Sequence, residues 1–146
     1  MKRLFIALIG IVAVMTIPAL PLAAQSSAGP PTLKNRGGGV TVEAKYLGAS
    51  AAGDAIRFEI KLDTHSVNLD QYDLKQLATL RNDLGVAVKP LTFEKKGSGH
   101  HIQNILAFPA KDEAGKSVAG DGVTSLELVL FDIADVPQRV LRWEAK

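Results

Sequence analysis

The segment Ala55-Ile56-Arg57-Phe58-Glu59-Ile60-Lys61-Leu62-Asp63 decides the fold class. Apolar and charged residues alternate along it without a break, which is the pattern of a β-strand with one buried face and one solvated face. Val40–Tyr46 alternates in the same way, and the Gly-, Ala- and Ser-rich segment Gly48–Asp54 between them supplies turn residues. The sequence therefore predicts two strands joined by a turn.

Strand patterns continue toward the C-terminus. After a short helical turn or loop near Asp70–Leu74, strands are expected at Gln76–Arg81, Val86–Phe93, His101–Phe108, Ser125–Ile133 and Arg139–Glu144. Pro90 suggests that its strand lies at a sheet edge, because proline cannot donate a hydrogen bond to a central ladder. Ser125–Ile133 is almost continuously apolar, which favours a central strand buried on both faces. Lys95–Gly99 and Pro109–Gly122 are expected to be loops.

Seven short strands at intervals of about 8–12 residues, separated by turn signals, are typical of an all-β domain. The expected fold is an immunoglobulin-like antiparallel β-sandwich of about seven strands. A small closed β-barrel is the alternative. The chain has no cysteine, so the disulfide that marks true immunoglobulin domains is absent and the prediction rests on strand number and pattern.

The N-terminal 24 residues have the three parts of a secretory signal peptide. Met1-Lys2-Arg3 is positively charged, Leu4–Ile17 is apolar, and Ala23-Ala24 precedes a polar segment. We expect cleavage after Ala24, a flexible linker over residues 25–39 and a single domain over residues 40–146. The apolar run is short for a membrane span of about 20 residues, so no span is expected after cleavage. An uncleaved anchor is the alternative, and either way the domain is expected outside the cytoplasm, periplasmic or secreted.

The charge balance argues against nucleic acid as a partner. The chain has 17 Lys and Arg and 15 Asp and Glu, and loss of Lys2 and Arg3 with the signal peptide leaves 15 of each sign. A neutral chain without a basic block lacks the electrostatic footprint that phosphate recognition requires. Both methionines, Met1 and Met15, would leave as well. A chain without sulfur excludes thiolate and thioether copper sites.

The three histidines fall at predicted strand ends. His65 follows the second strand, and His100-His101 opens the fifth after a Gly-Ser-Gly loop. In immunoglobulin order these two strands are antiparallel neighbours, so His65 is expected near His100 or His101, with Asp63 on the outer face. Imidazole and carboxylate groups are natural ligands of Zn(II) and Cu(II). The predicted metal-ligand set is therefore Asp63, His65, His100 and His101. Its spacing matches no established zinc motif, and hydrogen-bonded surface histidines are the structural alternative.

Other chemistry has less support in the sequence. Asp70, Asp73 and Asp83 lack the alternating pattern of a calcium loop and are better explained as caps of turns or helices. Ser66 lies beside His65, but neighbouring residues of one strand cannot face each other as a catalytic triad requires. Glycine-rich phosphate loops and His-Glu-x-x-His helices are absent. We therefore expect a protein that is not an enzyme.

Three segments resemble an uncharacterised family of exported or membrane-tethered prokaryotic β-sandwich domains. They are Leu62–Leu74, which contains Asp-Thr-His-Ser-Val, then Gly99-His100-His101, and the closing Pro137–Trp143. The resemblance extends over roughly Val40 to Trp143. It implies a single extracytoplasmic domain and no established activity, and it marks Asp63, His65, His100 and His101 as the positions of interest.

Two functions follow as hypotheses. The first is a non-enzymatic extracytoplasmic binding domain that takes a divalent transition metal, Zn(II) or Cu(II), through His and Asp side chains. The second is a protein-interaction or envelope-accessory module that docks an envelope protein partner and binds no metal. The β-sandwich itself motivates the second hypothesis only by analogy.

Overall fold

Nine strands form two antiparallel sheets in the computed structural model, which describes residues 29–120 and 122–144. The five strands of the first sheet, sheet A, are β1 (Leu33–Gly37), β2 (Val40–Ala49), β3 (Ala55–Thr64), β6 (Thr92–Ser98) and β7 (His101–Pro109). The four strands of the second, sheet B, are β4 (Ala78–Asn82), β5 (Ala87–Val88), β8 (Ser125–Ile133) and β9 (Val136–Glu144). A 3-10 turn, Leu69–Gln71, and the short helix α1, Leu74–Leu77, connect β3 to β4.

The strand order is that of an immunoglobulin-like sandwich. Sheet A has the order β1-β2-β3-β7-β6 and sheet B has the order β5-β4-β8-β9. Strands β2, β3, β7 and β6 therefore occupy the places of strands A, B, E and D, and β4, β8 and β9 occupy those of C, F and G. The sheets do not close on each other, so the sandwich prediction is confirmed and the barrel alternative is wrong.

The core lies between the sheets and is built by alternation along each strand. In β3 the residues Ile56, Phe58, Ile60 and Leu62 are buried, as their pattern predicts. The Phe58 ring joins the two sheets, with its centroid 5.9 Å from that of Phe108 in sheet A and 5.1 Å from that of Trp143 in sheet B. Aromatic pairs at these separations add to the stabilisation from area burial.

Strand β8 has the central position that its composition predicts, between β4 and β9. Leu126, Leu128 and Leu130 point into the core. Val129 points to the opposite, outer face of sheet B but is 0% exposed. Val129 pairs with Thr79 of β4 and with Val140 of β9. Val129 and Val140 therefore form a thin apolar layer on the outer face of sheet B.

Two predicted boundaries are wrong. The expected linker over residues 25–39 contains β1, which pairs with β2 over Leu33–Gly37. Strand β1 lies at the edge of sheet A and buries little of its surface, so apolar and polar residues alternate only weakly along it. This weak pattern is why the sequence predicts a flexible linker there. The described domain therefore begins before residue 40. Residues 1–28, which carry the predicted signal peptide, lie outside the described residues.

The predicted strand Val86–Phe93 is wrong as one element. The chain pairs as β5 in sheet B, passes through the buried Pro90, and begins β6 in sheet A at Thr92. Strand β6 then continues to Ser98 through most of the predicted loop Lys95–Gly99. Lysine and glycine suggest a loop, but an exposed edge strand tolerates both, because lysine on an edge discourages pairing with another chain.

Candidate functional site

Asp63 and His101 are in direct contact on the outer face of sheet A. Strands β3 and β7 pair antiparallel with Asp63 opposite His101, and Asp63 Oδ1 is 2.7 Å from His101 Nδ1. The side chains are 45% and 70% exposed, respectively. This contact confirms that the second and fifth predicted strands are neighbours, and it joins two of the four predicted site residues.

His100 lies one pair further along the same ladder. The backbone N–H of Thr64 donates to the His100 carbonyl oxygen at 3.1 Å. Gly99 and His100 form the two-residue connection between β6 and β7. The residues on either side of this connection, Ser98 and His101, pair with each other. Both His100 and His65 are exposed.

His65 leaves the ladder because the chain bends after Thr64. The Thr64 hydroxyl donates to the Gly39 carbonyl oxygen at 2.8 Å and accepts the backbone N–H groups of Ser66 and Val67. This turn ends β3. Within residues 29–120 and 122–144, no group of three or more His, Cys, Asp or Glu side chains is arranged to hold a metal ion. The structure thus joins Asp63 to His101 and does not add His65 or His100 to that pair.

Asp70 ties the long β3–β4 connection to the β6–β7 turn. Its carboxylate accepts the Gly99 N–H at 2.9 Å and pairs with Lys95 Nζ at 2.5 Å. The Leu69 N–H adds a bond to the Gly99 carbonyl oxygen at 2.9 Å. The hydrogen bond from Lys95, and then that from Gly99, lower the pKa of Asp70 below its ordinary value of 3.8. Asp70 thus bridges two connections and positions the histidine-bearing turn, while the cap of its own 3-10 turn is Asn68.

Asp73 and Asp83 were also expected to be caps, and the structure gives them different roles. The Asp73 side chain accepts the Lys75 N–H at the start of α1. Asp83 accepts the Thr124 hydroxyl at 2.6 Å and the Thr124 N–H at 3.0 Å, which lowers the pKa of Asp83. The prediction of capping acids is confirmed at Asp73, whereas Asp70 and Asp83 each join two segments that are distant in the chain.

The β8–β9 turn lies at the same end of the sandwich. Asp132, Ala134 and Asp135 all have left-handed backbones, with φ values of 53°, 53° and 57°. Such conformations are costly for residues other than glycine. Tyr72 Oη accepts the Ala134 N–H at 2.9 Å, and a Cβ on Gly38 would collide with the Ala134 carbonyl oxygen.

Arg139 holds this turn from inside the protein. Its guanidinium is buried and donates to Asn35 Oδ1 at 3.0 Å, the Gly37 carbonyl oxygen at 2.7 Å and the Ile133 carbonyl oxygen at 3.0 Å. Desolvation lowers its pKa. Arg139 Nε is a buried nitrogen without a hydrogen-bond partner within the described residues.

Tyr72, Arg139 and the β8–β9 turn are not recognisable from sequence patterns as parts of this end. An arginine in an alternating strand gives no sign that it is buried. Asp135 is a residue type that tolerates a left-handed backbone in a turn, but Ala134 beside it gives no sign of one.

An open groove of about 300 Å³ passes beside His101 on the outer face of sheet A. Its polar lining includes Lys61, Lys96 and Gln103 along with the Asp63–His101 pair. Glu59 accepts from Gln103 Nε2 at 2.5 Å and pairs with Lys61 Nζ at 3.5 Å. The groove is therefore open and carries side-chain charges of both signs.

Chemically, the pair has an orienting acid and an exposed imidazole but no activated nucleophile. Ser98 is opposite His101 in register, so Asp63, His101 and Ser98 form one row. Among the described residues, however, the only side-chain hydrogen bond of His101 is the one to Asp63. A triad requires a contact between nucleophile and base, and this row lacks it.

Comparison with known proteins gives no match, whether with family models, curated proteins or solved structures. The resemblance described above therefore stays a prediction. None of the described helices is both long and apolar enough to cross a membrane.

Proposed function

We propose that this chain is a non-enzymatic, extracytoplasmic binding domain that takes a divalent transition metal ion, Zn(II) or Cu(II), through histidines at one end of its sandwich. The ligands are His101 and its chain neighbours His100 and His65, with Asp63 beside His101. The observation that carries the proposal is the contact between Asp63 Oδ1 and His101 Nδ1 at 2.7 Å. A histidine held by a carboxylate, with its other nitrogen exposed, is the usual arrangement of a metal-binding imidazole.

The pairing of strands β3 and β7 supports the proposal that Asp63 and the three histidines form one site. Asp63 and His101 are a register pair, and Thr64 is bonded to His100 at the next position. All three histidines therefore belong to two chain segments that meet at one corner of sheet A. Adjacent residues of a strand point to opposite faces, so His100 and His101 approach a common ion only if the β6–β7 turn bends, and His65 only if the bend after Thr64 shifts. Metal binding couples to such local ordering.

The surrounding hydrogen bonds support binding rather than catalysis. Asp70 fixes the β6–β7 turn, and Tyr72 fixes the β8–β9 turn. Loops held in this way lose little conformational entropy when they bind, which favours affinity. The absence of a Ser98–His101 hydrogen bond within the described residues leaves the pair without the nucleophile that hydrolysis would require.

Export is part of the proposal and rests on the N-terminal residues. Their charged start, apolar run and small-residue exit are those of a signal peptide. The chain has no cysteine, so packing between the two sheets, rather than disulfides, forms its core. We place the domain in the periplasm or outside the cell.

A second candidate, an interaction module with an envelope protein partner, is favoured by the outer face of sheet B. Val140 is 40% exposed beside the buried Val129, and Lys89 Nζ lies 5.8 Å from the centre of the Phe131 ring. This face is apolar at its centre and charged at its rim, as protein-binding patches are. In this function the histidines would bind no metal.

Calorimetric titration with Zn(II) and with Cu(II) tests the proposal, using untagged protein purified after export. The wild type is expected to bind one ion per chain, and His65→Ala and the double variant His100→Ala/His101→Ala are expected to lose that binding. Ser98→Ala, in the same turn, is the matched control and is expected to bind as the wild type does. Absence of binding in the wild type, or equal binding in all variants, would favour the interaction module.

A further inference from the structure

The Asp63–His101 contact fixes more than the position of the ring. An ionised carboxylate has no hydrogen to donate, so His101 Nδ1 must be the donor across the 2.7 Å distance. In the neutral imidazole only one nitrogen carries hydrogen. Nε2 is then left with a free lone pair, which is the form that a metal ion requires.

We infer that Asp63 is not a metal ligand but a positioning residue, which holds His101 as the Nδ1–H tautomer so that Nε2 is the metal-binding atom. The inference rests on the proposed metal function and assigns the roles within that site. It differs from the ligand set expected from the sequence, in which Asp63 coordinates the ion.

The surroundings of Asp63 and His101 support these two roles, a positioning carboxylate and a metal-binding imidazole. His101 is 70% exposed, so its outer nitrogen has room for an ion and further ligands. Asp63 is more covered, at 45%. Its Oδ1 is already occupied by the Nδ1–H group. Both residues come from regular strands in register, and a site on strands is held more firmly than a site on loops.

The strand register also limits how the pair can rearrange. Asp63 and His101 face each other on one side of sheet A, and a one-residue slip of either strand would turn that strand's side chain toward the core. The buried neighbours Leu62 and Ile102, which form the adjacent register pair, prevent such a slip. The register therefore keeps Asp63 and His101 opposite each other, within reach of the Asp63–Nδ1 hydrogen bond.

The first test reads the tautomer in metal-free protein. Two-bond ¹⁵N–¹H correlation spectra at alkaline pH, with neutral imidazoles, distinguish Nδ1–H from Nε2–H. His101 is expected as Nδ1–H in the wild type and as a mixture or Nε2–H in Asp63→Ala. Glu94→Gln, which removes an exposed acid from the neighbouring strand β6, is the charge-matched control and should leave the tautomer unchanged. Nε2–H in the wild type, or no change in Asp63→Ala, would overturn the inference.

The second test measures Zn(II) affinity by calorimetry on the same proteins. Loss of a carboxylate that orients a ligating histidine weakens binding about 10–100-fold. We expect that loss in Asp63→Ala, partial recovery in Asp63→Glu and no change in Glu94→Gln. Unchanged affinity in Asp63→Ala would contradict the positioning role. If the wild type binds no Zn(II), the proposed function fails, while the tautomer spectra still decide whether Asp63 orients His101.

Discussion

The backbone N–H of Thr64 donates to the carbonyl oxygen of His100 at 3.1 Å. This bond extends the β3–β7 ladder one pair beyond Asp63 and His101. It also determines where the two histidine-bearing segments separate, because Thr64 uses its side chain to turn the chain away immediately afterwards. The arrangement of the candidate site thus follows from strand pairing rather than from a loop that folds independently.

Asp70 is expected to make stability depend on pH. Its pKa is lowered in the folded protein, chiefly by the hydrogen bond from Lys95, so its contribution is full above the ordinary value of 3.8 and is lost as pH falls through the lower folded value. Asp70→Asn should therefore lower the Tm at neutral pH. The difference from wild type should shrink once the pH is well below 3.8. Thermal unfolding followed by circular dichroism checks this.

Glu113→Gln is the control for the Asp70 experiment, since Glu113 is an exposed acid in the long connection between β7 and β8. It should leave the Tm unchanged at each pH. A Tm difference between wild type and Asp70→Asn that persists undiminished in acid would show that the Asp70 carboxylate charge is not the cause.

Arg139→Met is expected to destabilise the protein by about 2–4 kcal/mol. Methionine fills much of the space of the arginine stem but donates no hydrogen bonds. The Ile133 carbonyl oxygen, in a buried bond, and Asn35 Oδ1 and the Gly37 carbonyl oxygen, in part-buried bonds, then lose their donor. A buried unsatisfied group costs about 1–3 kcal/mol, and water reduces the cost at the two part-buried groups. Urea unfolding measures the change in the free energy of unfolding.

Arg57→Met, on the exposed face of β3, is the matched control and should change stability by no more than about 0.5 kcal/mol. If both arginine variants have equally small effects, the guanidinium of Arg139 does not hold β1 and the β8–β9 turn together, and the buried hydrogen bonds described for it carry little net energy.

Val129→Ala is expected to cost about 1.5 kcal/mol, since it removes two methyl groups from a fully buried position at about 0.8 kcal/mol each. Val140→Ala, its neighbour in register on the same face, should cost about 0.9 kcal/mol because Val140 is 40% exposed and only the buried part of its side chain contributes. Equal costs in urea unfolding would mean that the outer face of sheet B has no apolar layer of its own.

Much of the fold could be predicted because strict alternation reports a half-buried strand directly. Ala55–Asp63 and the apolar Ser125–Ile133 have the expected places in sheets A and B. The failures lie at sheet edges. Leu33–Gly37 and Lys95–Ser98 bury few side chains, so composition alone did not reveal that their backbones pair. Pro90 does indicate an interruption of regular strand pairing. It lies where the chain crosses from sheet B to sheet A, and not within an edge strand.

The candidate site could be predicted only where it lies on strands. Placing β3 beside β7 was sufficient to bring Asp63 to His101. The position of His65 was not accessible in the same way, because it depends on the turn that the Thr64 hydroxyl makes. Arg139 and Tyr72 support the same end through contacts across more than 60 residues of chain, and no local pattern reports such distant partners.

Intact mass spectrometry of the exported protein tests the N-terminal prediction. Cleavage after Ala24 should give a product that begins at Gln25. A product that retains Met1–Ala24 would indicate an uncleaved anchor and would place the domain at a membrane surface. Replacing Ala24 with a bulky residue should block or shift the cleavage, because signal peptidase sites require small residues.

The most direct measurement of the central claim is a Zn(II) titration of ¹⁵N-labelled protein followed by NMR. The proposal predicts saturable shifts of the His65, His100 and His101 ring nitrogens and of the backbone amides around Asp63 and His101. Resonances of sheet B, such as Val129 and Arg142, should stay in place. Unchanged histidine resonances at saturating Zn(II), or shifts confined to another surface, would contradict the metal site and leave the histidines as surface residues.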